Sequence, residues 1–212
     1  MSWSVTTAPT TEPVTLAEAK LHLRVEADVT ADDTLITSLI QAAREHVEAA
    51  CQRALMPQVW TERRTAFPTA PCSRTVPGVP YGYLRAPTLA QQTIQLAGGK
   101  VRAVDLVKYV DATGTLQTLD PSLYVTELTT EPAQVVPAYG TSWPSTQQMP
   151  GAVQVQYQVG YADADSVPAA LKAAVLLVLS DLFSNREAFG AQPVTENPAL
   201  SRLLDPYKRF LP

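Results

Sequence analysis

The segment from Val167 to Phe189, VPAALKAAVLLVLSDLFSNREAF, constrains this chain more than any other. It has the start and stop signals of a helix. Pro168 suits a first helical turn, Asp165 and Ser166 stand where acceptors meet the free N–H groups, and Gly190 follows where a left-handed residue closes a helix. Every residue from Ala173 to Leu179 is apolar. A helix on the surface of a globular protein shows one apolar stripe, so this one is expected to be covered on most sides, by its own chain or by another subunit. The run is too short to cross a bilayer, which takes roughly 20 apolar residues.

A partner for it is legible near the N-terminus. Thr15-Leu16-Ala17-Glu18 has the form of a capping box, in which the Thr hydroxyl and the Glu carboxylate each satisfy a backbone N–H, and it opens a short helix to about Arg24. A second helix starts at Thr30 to Asp33, its acidic residues placed at the positive end of the dipole. Leu35, Ile36, Leu39, Ile40, Ala43, Val47, Ala50 and Ala54 then recur at three and four as far as Leu55. That face is expected to meet the apolar helix, with Gln41, Arg44, Glu45 and Glu48 on the wet side. Residues Met1 to Pro13 read as an extended arm.

Between Pro57 and Tyr161 helical spacing gives way to short alternating runs broken by Pro and Gly. Strands are expected at Gln58 to Thr65, Thr93 to Leu96, Val104 to Val110, Thr115 to Leu119 and Tyr124 to Leu128, with Asp111 to Gly114 as a hairpin turn. Val153, Val155, Tyr157 and Val159 alternate with Gln154, Gln156 and Gln158, the pattern of an antiparallel strand with one buried and one wet face. The expected fold class is therefore α+β: a helical bundle core over residues 1–56 and 161–212, with an inserted antiparallel β domain over 57–160. Within that insertion the Pro-rich stretch 67–92 is either a surface loop or an arm that lies on a neighbouring subunit through Tyr81, Tyr83 and Leu84. Beyond Gly190 the chain is Pro-rich, offers a short helix at Pro198 to Leu204, and continues into a basic and aromatic tail.

Composition narrows the function. With 46% hydrophobic and 17% charged residues the chain is an ordinary globular one, and a net charge of −4 argues against wrapping nucleic acid by phosphate neutralisation. No basic start with an apolar h-region is seen at the N-terminus, so export is not expected. Cys51 and Cys72 are too far apart for a zinc pattern and read as reduced thiols. His22 and His46 each sit on a helix without further ligands nearby, and Gly98-Gly99 reads as a turn. Asp163-Ala164-Asp165-Ser166 lacks the Gly and bidentate Glu of a calcium loop and is better read as a helix start. There is no nucleophile elbow, phosphate loop, His-Glu-x-x-His or Cys-x-x-Cys. No enzyme, cofactor, metal or membrane association is expected, and the architecture is one that binds proteins.

Several stretches in order have a familiar look. Pro13-Val14-Thr15-Leu16-Ala17-Glu18-Ala19-Lys20 with Leu21-His22-Leu23-Arg24, Asp33 to Ile40, Val107 to Asp111, Leu119-Asp120-Pro121 with Tyr124, Pro137 to Gly140, Trp143-Pro144, Gly160-Tyr161 and Leu203 to Phe210 together resemble the tailed-phage head-to-tail connector, or adaptor, family, of the prophage and gene-transfer-agent type. The resemblance implies a structural virion protein of the neck, between capsid and tail, assembled in the bacterial host cytoplasm. It implies a closed ring of about twelve copies beneath the portal protein, built by the helical part. That ring extends the channel through which double-stranded DNA passes without sequence-specific binding, and offers a platform to a head-completion, stopper or tail protein. Carried over onto this chain, the portal-binding candidates are Leu203, Leu204, Tyr207, Lys208, Arg209 and Phe210; the alternative is that this tail folds back on its own helices. The 67–92 stretch is longer and richer in proline than the family leads one to expect.

Two other classes compete. A tail-completion or tail-terminator protein would be dominated by sheet. A hydrolase or carbohydrate-binding module would need paired carboxylates among Glu62, Asp105, Asp111, Asp120, Glu127 and Glu131.

Overall fold

In the computed structural model, which describes residues 2–68, 92–185 and 198–208, the chain divides into two compact units. One comprises Met1–Thr7 and Val59–Gln158, the other Ala8–Gln58 and Val159–Pro212. Residues 1–7 therefore go with the strands, not with the helical part expected over residues 1–56.

The helical unit contains α1 (Leu16–Leu23), α2 (Asp33–Cys51), α3 (Ala169–Ser184) and α4 (Pro198–Leu204). The capping box forms as read: Glu18 N donates to Thr15 Oγ1 at 3.2 Å and Thr15 N donates to Glu18 Oε2 at 2.7 Å. The loop between α1 and α2 is organised by a buried cation. Lys20 Nζ pairs with Asp33 at 2.5 Å and donates to the Val29 carbonyl at 2.8 Å.

Helix α2 stops at Cys51, four residues short of the expected end, because Gln52 turns left-handed at φ 55° and Leu55 N is drawn back to the Glu48 carboxylate at 2.7 Å. Its core stripe is Ile36, Ile40, Ala43, Val47 and Cys51, packed with Leu171, Ala174, Val175, Val178 and Leu179 of α3, the pairing that the periodicity predicts.

Two expectations fail on this helix. Ala50 is exposed, and Arg44, placed on the wet side by its charge, is only 4% exposed. Arg44 is held by Glu12 and Glu48, each at 2.8 Å, and this pairing lets a guanidinium be buried. Burial pushes the Glu48 carboxyl up, against the opposing pull of the Leu55 N–H and Arg44.

Helix α3 is shorter than the expected Val167–Phe189. Pro168 is its N-cap, and it is Asp163, rather than Asp165, whose carboxylate receives the Ser166 N–H at 2.7 Å and the Ser166 hydroxyl at 2.6 Å. Gly190, expected to close the helix, lies outside the described residues.

The β unit has β1 (Ser2–Thr7), β2 (Gln58–Arg64), β3 (Ile94–Leu96), β4 (Val101–Val110), β5 (Leu116–Thr118), β6 (Tyr124–Glu127), β7 (Ala133–Pro137) and β8 (Val153–Val159). They form a five-stranded sheet, β1-β2-β8-β4-β5, and a three-stranded one, β3-β7-β6. The most regularly alternating strand in the sequence takes the central place: Val153, Val155, Tyr157 and Val159 of β8 are fully buried.

The N-terminal residues are a strand where an arm was expected. Trp3 pairs across from Glu62, and its ring stacks on Trp60 at 4.2 Å between centroids. Strand β7 was also unexpected, because a run bounded by Pro132 and Pro137 reads as irregular. The Asp111–Gly114 turn forms as read, with Asp111 N donating to the Thr115 carbonyl at 2.9 Å and Gly114 at φ 87°.

Candidate functional site

Helix α3 has apolar residues on more sides than the described residues of its own unit cover. Leu176 and Leu177, about 100° apart on a helix, are both only half-buried. Each borders a hollow on its own flank.

On the Leu177 flank lies a groove of about 790 Å³. Helix α2 supplies Ala42, His46 and Ala50 to its wall, and α3 supplies Leu177 and Asp181. Leu200 and Leu204 of α4, with Lys208 beyond it, stand opposite, and Ser180, Ser184 and Ser201 add hydroxyls to the lining. Ala42 and Ala50, about two turns apart along α2, give this wall small side chains.

On the Leu176 flank is a smaller recess of about 300 Å³, bordered by Val14, Glu18, Leu21, His22 and Lys172. At its rim Leu21 is 81% exposed. The Thr15 N–H and hydroxyl hold the Glu18 carboxyl below its ordinary range. Both histidines thus border hollows, on outward faces of α1 and α2. Cys51 is buried, which pushes its thiol up and away from reactivity, and Cys72 lies outside the described residues.

The tail candidates divide. Leu204 is 3% exposed and belongs to the helical core, while Leu203 and Tyr207 pack on that core half-buried. Lys208 is tied to Asp205 at 2.8 Å and its N–H to the Leu204 carbonyl at 3.0 Å. Arg209 and Phe210, like Tyr81, Tyr83 and Leu84 of the proposed arm, lie outside the described residues.

Trp143, quoted from the sequence only within the Trp143-Pro144 motif, has a structural role that the sequence did not indicate. Its ring stacks on Phe67 at 4.7 Å with planes 3° apart, and its Nε1 donates to the Gln92 carbonyl at 2.7 Å. One residue therefore holds the chain on both sides of the Pro-rich stretch. A Trp-Pro pair in an irregular segment was the only signal that could have found it.

The carboxylates of the β unit are engaged locally. Glu62 is buried with Arg64 Nη2 at 2.7 Å, and together with burial it pushes the Tyr157 hydroxyl far up. Asp105 accepts from Gln158 at 2.8 Å. Asp111 accepts the Thr113 hydroxyl, the Thr115 N–H and Gln117 Nε2, which hold its carboxyl at about 2. Asp120 receives the Ser122 N–H, and Glu127 receives the N–H and hydroxyl of Thr129. Glu131 precedes Pro132 through a cis peptide bond. Among the described residues no group of His, Cys, Asp and Glu is placed to hold a metal ion, and no helix is long and apolar enough to cross a membrane.

Comparison with known proteins bears on the helical unit first. Residues 13–76 match the family of phage gp6-like head-tail connector proteins. No curated relative matches. Among solved structures, the chain is similar over 100% of its length to 98% of a chain in the neck of an empty gene transfer agent (GTA) particle computed with C6 symmetry, with a TM-score of 0.73 and 19% identity. It is as similar to a chain of the native GTA virion, at TM-score 0.73 and 20% identity with the same coverage, and to one in the neck of the native particle computed with C12 symmetry, at 0.71 and 18%. Over residues 13–76 the chain thus resembles the phage gp6-like head-tail connector proteins, and over its whole length it has the α+β fold of a chain found in the GTA neck, the resemblance that the order of its sequence motifs had indicated.

Proposed function

We propose that this protein is a head-to-tail connector of the virion neck, acting by geometry and not by catalysis. The observation that carries the reading is that the family match covers α1 and α2, the two helices that pack with α3, while the likeness to GTA neck structures extends over the entire chain. About twelve copies form a closed ring beneath the portal, since a heterologous interface that closes holds every subunit on two sides. The ring extends the DNA channel, in keeping with a net charge of −4 that gives the duplex little to adhere to. Leu203, Tyr207, Lys208, Arg209 and Phe210 engage the portal, with Leu204 as the buried anchor that fixes where this tail leaves the helices. The stretch with Tyr81, Tyr83 and Leu84 reaches a neighbouring subunit, and the Phe67–Trp143 stack with the Trp143–Gln92 hydrogen bond supplies a fixed base for it.

The test is reconstitution with a portal ring from the same genome, followed by native mass and electron microscopy. The expected result is a ring of about a dozen subunits on the portal. Removal of the residues after Lys208 should leave a folded protein that no longer joins it, because the core anchors Leu204 and Tyr207 remain. Binding to tail tubes in preference to the portal would favour a tail-completion role instead.

A further inference from the structure

The two hollows flanking α3 differ in character. One is a groove with small residues at its wall and nothing among the described residues filling it; the other has a large aliphatic side chain standing at its rim. Leu21 is 81% exposed, against 42% for Val29, the other large apolar residue among the described residues of the helical unit that stands clear of its surface. It is also rigidly presented. The capping box fixes the start of α1, the ion pair of buried Lys20 with half-buried Asp33 fixes the residue before it, and Arg24 closes the helix in the left-handed region at φ 58°. Ala17, one turn earlier on the same stripe, is exposed too and small enough to let a neighbouring helix approach.

We infer that the groove formed by α2, α3 and α4 of one copy receives the Ala17–Leu21 face of α1 from a second copy. This rests on the ring reading and names the seam. Knob and groove lie on opposite flanks of one helix, on surfaces that share no residue, so the contact is heterologous: every copy offers a knob on one side and a groove on the other. Such a contact repeats around a ring instead of stopping at a dimer, which suits a fold whose neighbours occur in necks computed with C6 and C12 symmetry. A helix laid into a groove is a recurrent mode of recognition, and here Leu177, Leu182, Leu200 and Leu204 give the groove an apolar floor between polar residues such as Ser180 and Ser201. It also removes from water the half-buried Leu177 and the fully presented Leu21 together, and so supplies the cover that α3's composition demands.

The test uses the full chain with Leu21→Cys and Ala50→Cys combined, Cys72→Ser in the background, and mild oxidation under the conditions in which the ring is seen. The expected product is a ladder of disulfide-linked dimers, trimers and higher species, from the double variant only. A dimer from Leu21→Cys alone would mean a two-fold contact and overturn the inference. So would the absence of a ladder from rings whose native mass is intact, which would leave the connector reading standing. A chain that stays monomeric even with the portal present defeats both. As a second variant, Leu21→Asp changes an exposed side chain and should keep the circular dichroism spectrum while weakening subunit association by roughly 10- to 100-fold, the value of burying one leucine; unchanged association would refute the seam. Cross-links from Ala50→Cys to the portal or a tail protein, in place of a second copy, would assign the groove to that partner and overturn it as well.

Discussion

Replacing Glu48 is the sharpest perturbation of the helical unit. Its Oε2 receives Arg44 Nη1 at 2.8 Å, and its Oε1 receives Leu55 N at 2.7 Å and Gln58 Nε2 at 2.8 Å. Glu48→Ala strips a buried guanidinium of one of its two close carboxylates and leaves the Leu55 N–H without an acceptor. Breaking a buried ion pair costs about 3–5 kcal/mol and orphaning a buried N–H about 1–3 kcal/mol. Arg44 keeps Glu12 at 2.8 Å, which places the pair term at its lower end, and the two terms overlap because one carboxylate serves both. The expected loss is about 4 kcal/mol. Glu48→Gln keeps an acceptor for Leu55 but turns an amide N–H₂ toward Arg44, and should lose about 2 kcal/mol. Urea unfolding followed at 222 nm reads this unit, since α1, α2, α3 and α4 lie in it. With a slope of roughly 2–3 kcal/mol per molar, the midpoint of the Ala variant should fall by about 1.5 M. The Arg44→Met, Glu48→Leu double variant should be less damaged than Glu48→Ala, because no buried charge is left behind. A loss below about 1 kcal/mol for Glu48→Ala, or a double variant worse than the single, would refute the reasoning. The pH dependence has a definite sign: a carboxyl raised in the folded chain makes stability fall as pH rises from 4.5 through its folded pKa, and this contribution should vanish in Glu48→Ala.

Three further predictions follow from local geometry. A Cβ on Gly160, at φ 97°, would stand 2.1 Å from the Met56 carbonyl oxygen, so Gly160→Ala should cost at least about 3 kcal/mol in thermal unfolding; a variant within about 1 kcal/mol of wild type would show that the two backbones can part. Trp143→Ala removes the stack on Phe67 and the hydrogen bond to Gln92, and should cost about 2–3 kcal/mol in urea unfolding followed by the fluorescence of the remaining Trp3–Trp60 stack; a loss below about 1 kcal/mol would refute it. The Asp111 carboxyl should titrate at about 2 by NMR, its support of the hairpin being present above pH 3.8 and lost as pH falls toward 2; a midpoint at 3.8 would deny the hydrogen bonds from Thr113, Thr115 and Gln117.

Much of this molecule could be read in advance where one residue's chemistry determines its place. The Thr15–Glu18 box, the Asp111–Gly114 turn and the alternation in β8 are local devices, and each forms where the sequence puts it. The failures are of another kind. Arg44 is buried because Glu12 and Glu48 come to it from 32 and 4 residues away, which no helical wheel reports. Strand β1 needs β2 for its existence, and its Thr and Ser residues suit an arm as well as an edge strand; the Trp and Val spaced by two were the available signal. Of the candidate site, the excess of apolar residues on α3 was visible from composition, whereas the groove depends on Ala42 and Ala50 being small where α4 passes by.

The chain passes between its two units three times, after Thr7, Gln58 and Gln158. During synthesis this sets a schedule. The first strand leaves the ribosome before its partner β2, and α2 must wait for α3, more than 100 residues downstream, before its apolar stripe has a cover. Neither unit can be completed until most of the polypeptide is made, and contacts so distant in sequence form slowly. The half-made chain carries an uncovered apolar helix throughout this interval, a state to which chaperones bind and from which aggregates grow. A nascent-chain arrest series should therefore show folding only once α3 has cleared the exit tunnel, and a fragment limited to residues 13–76 should be unable to fold by itself.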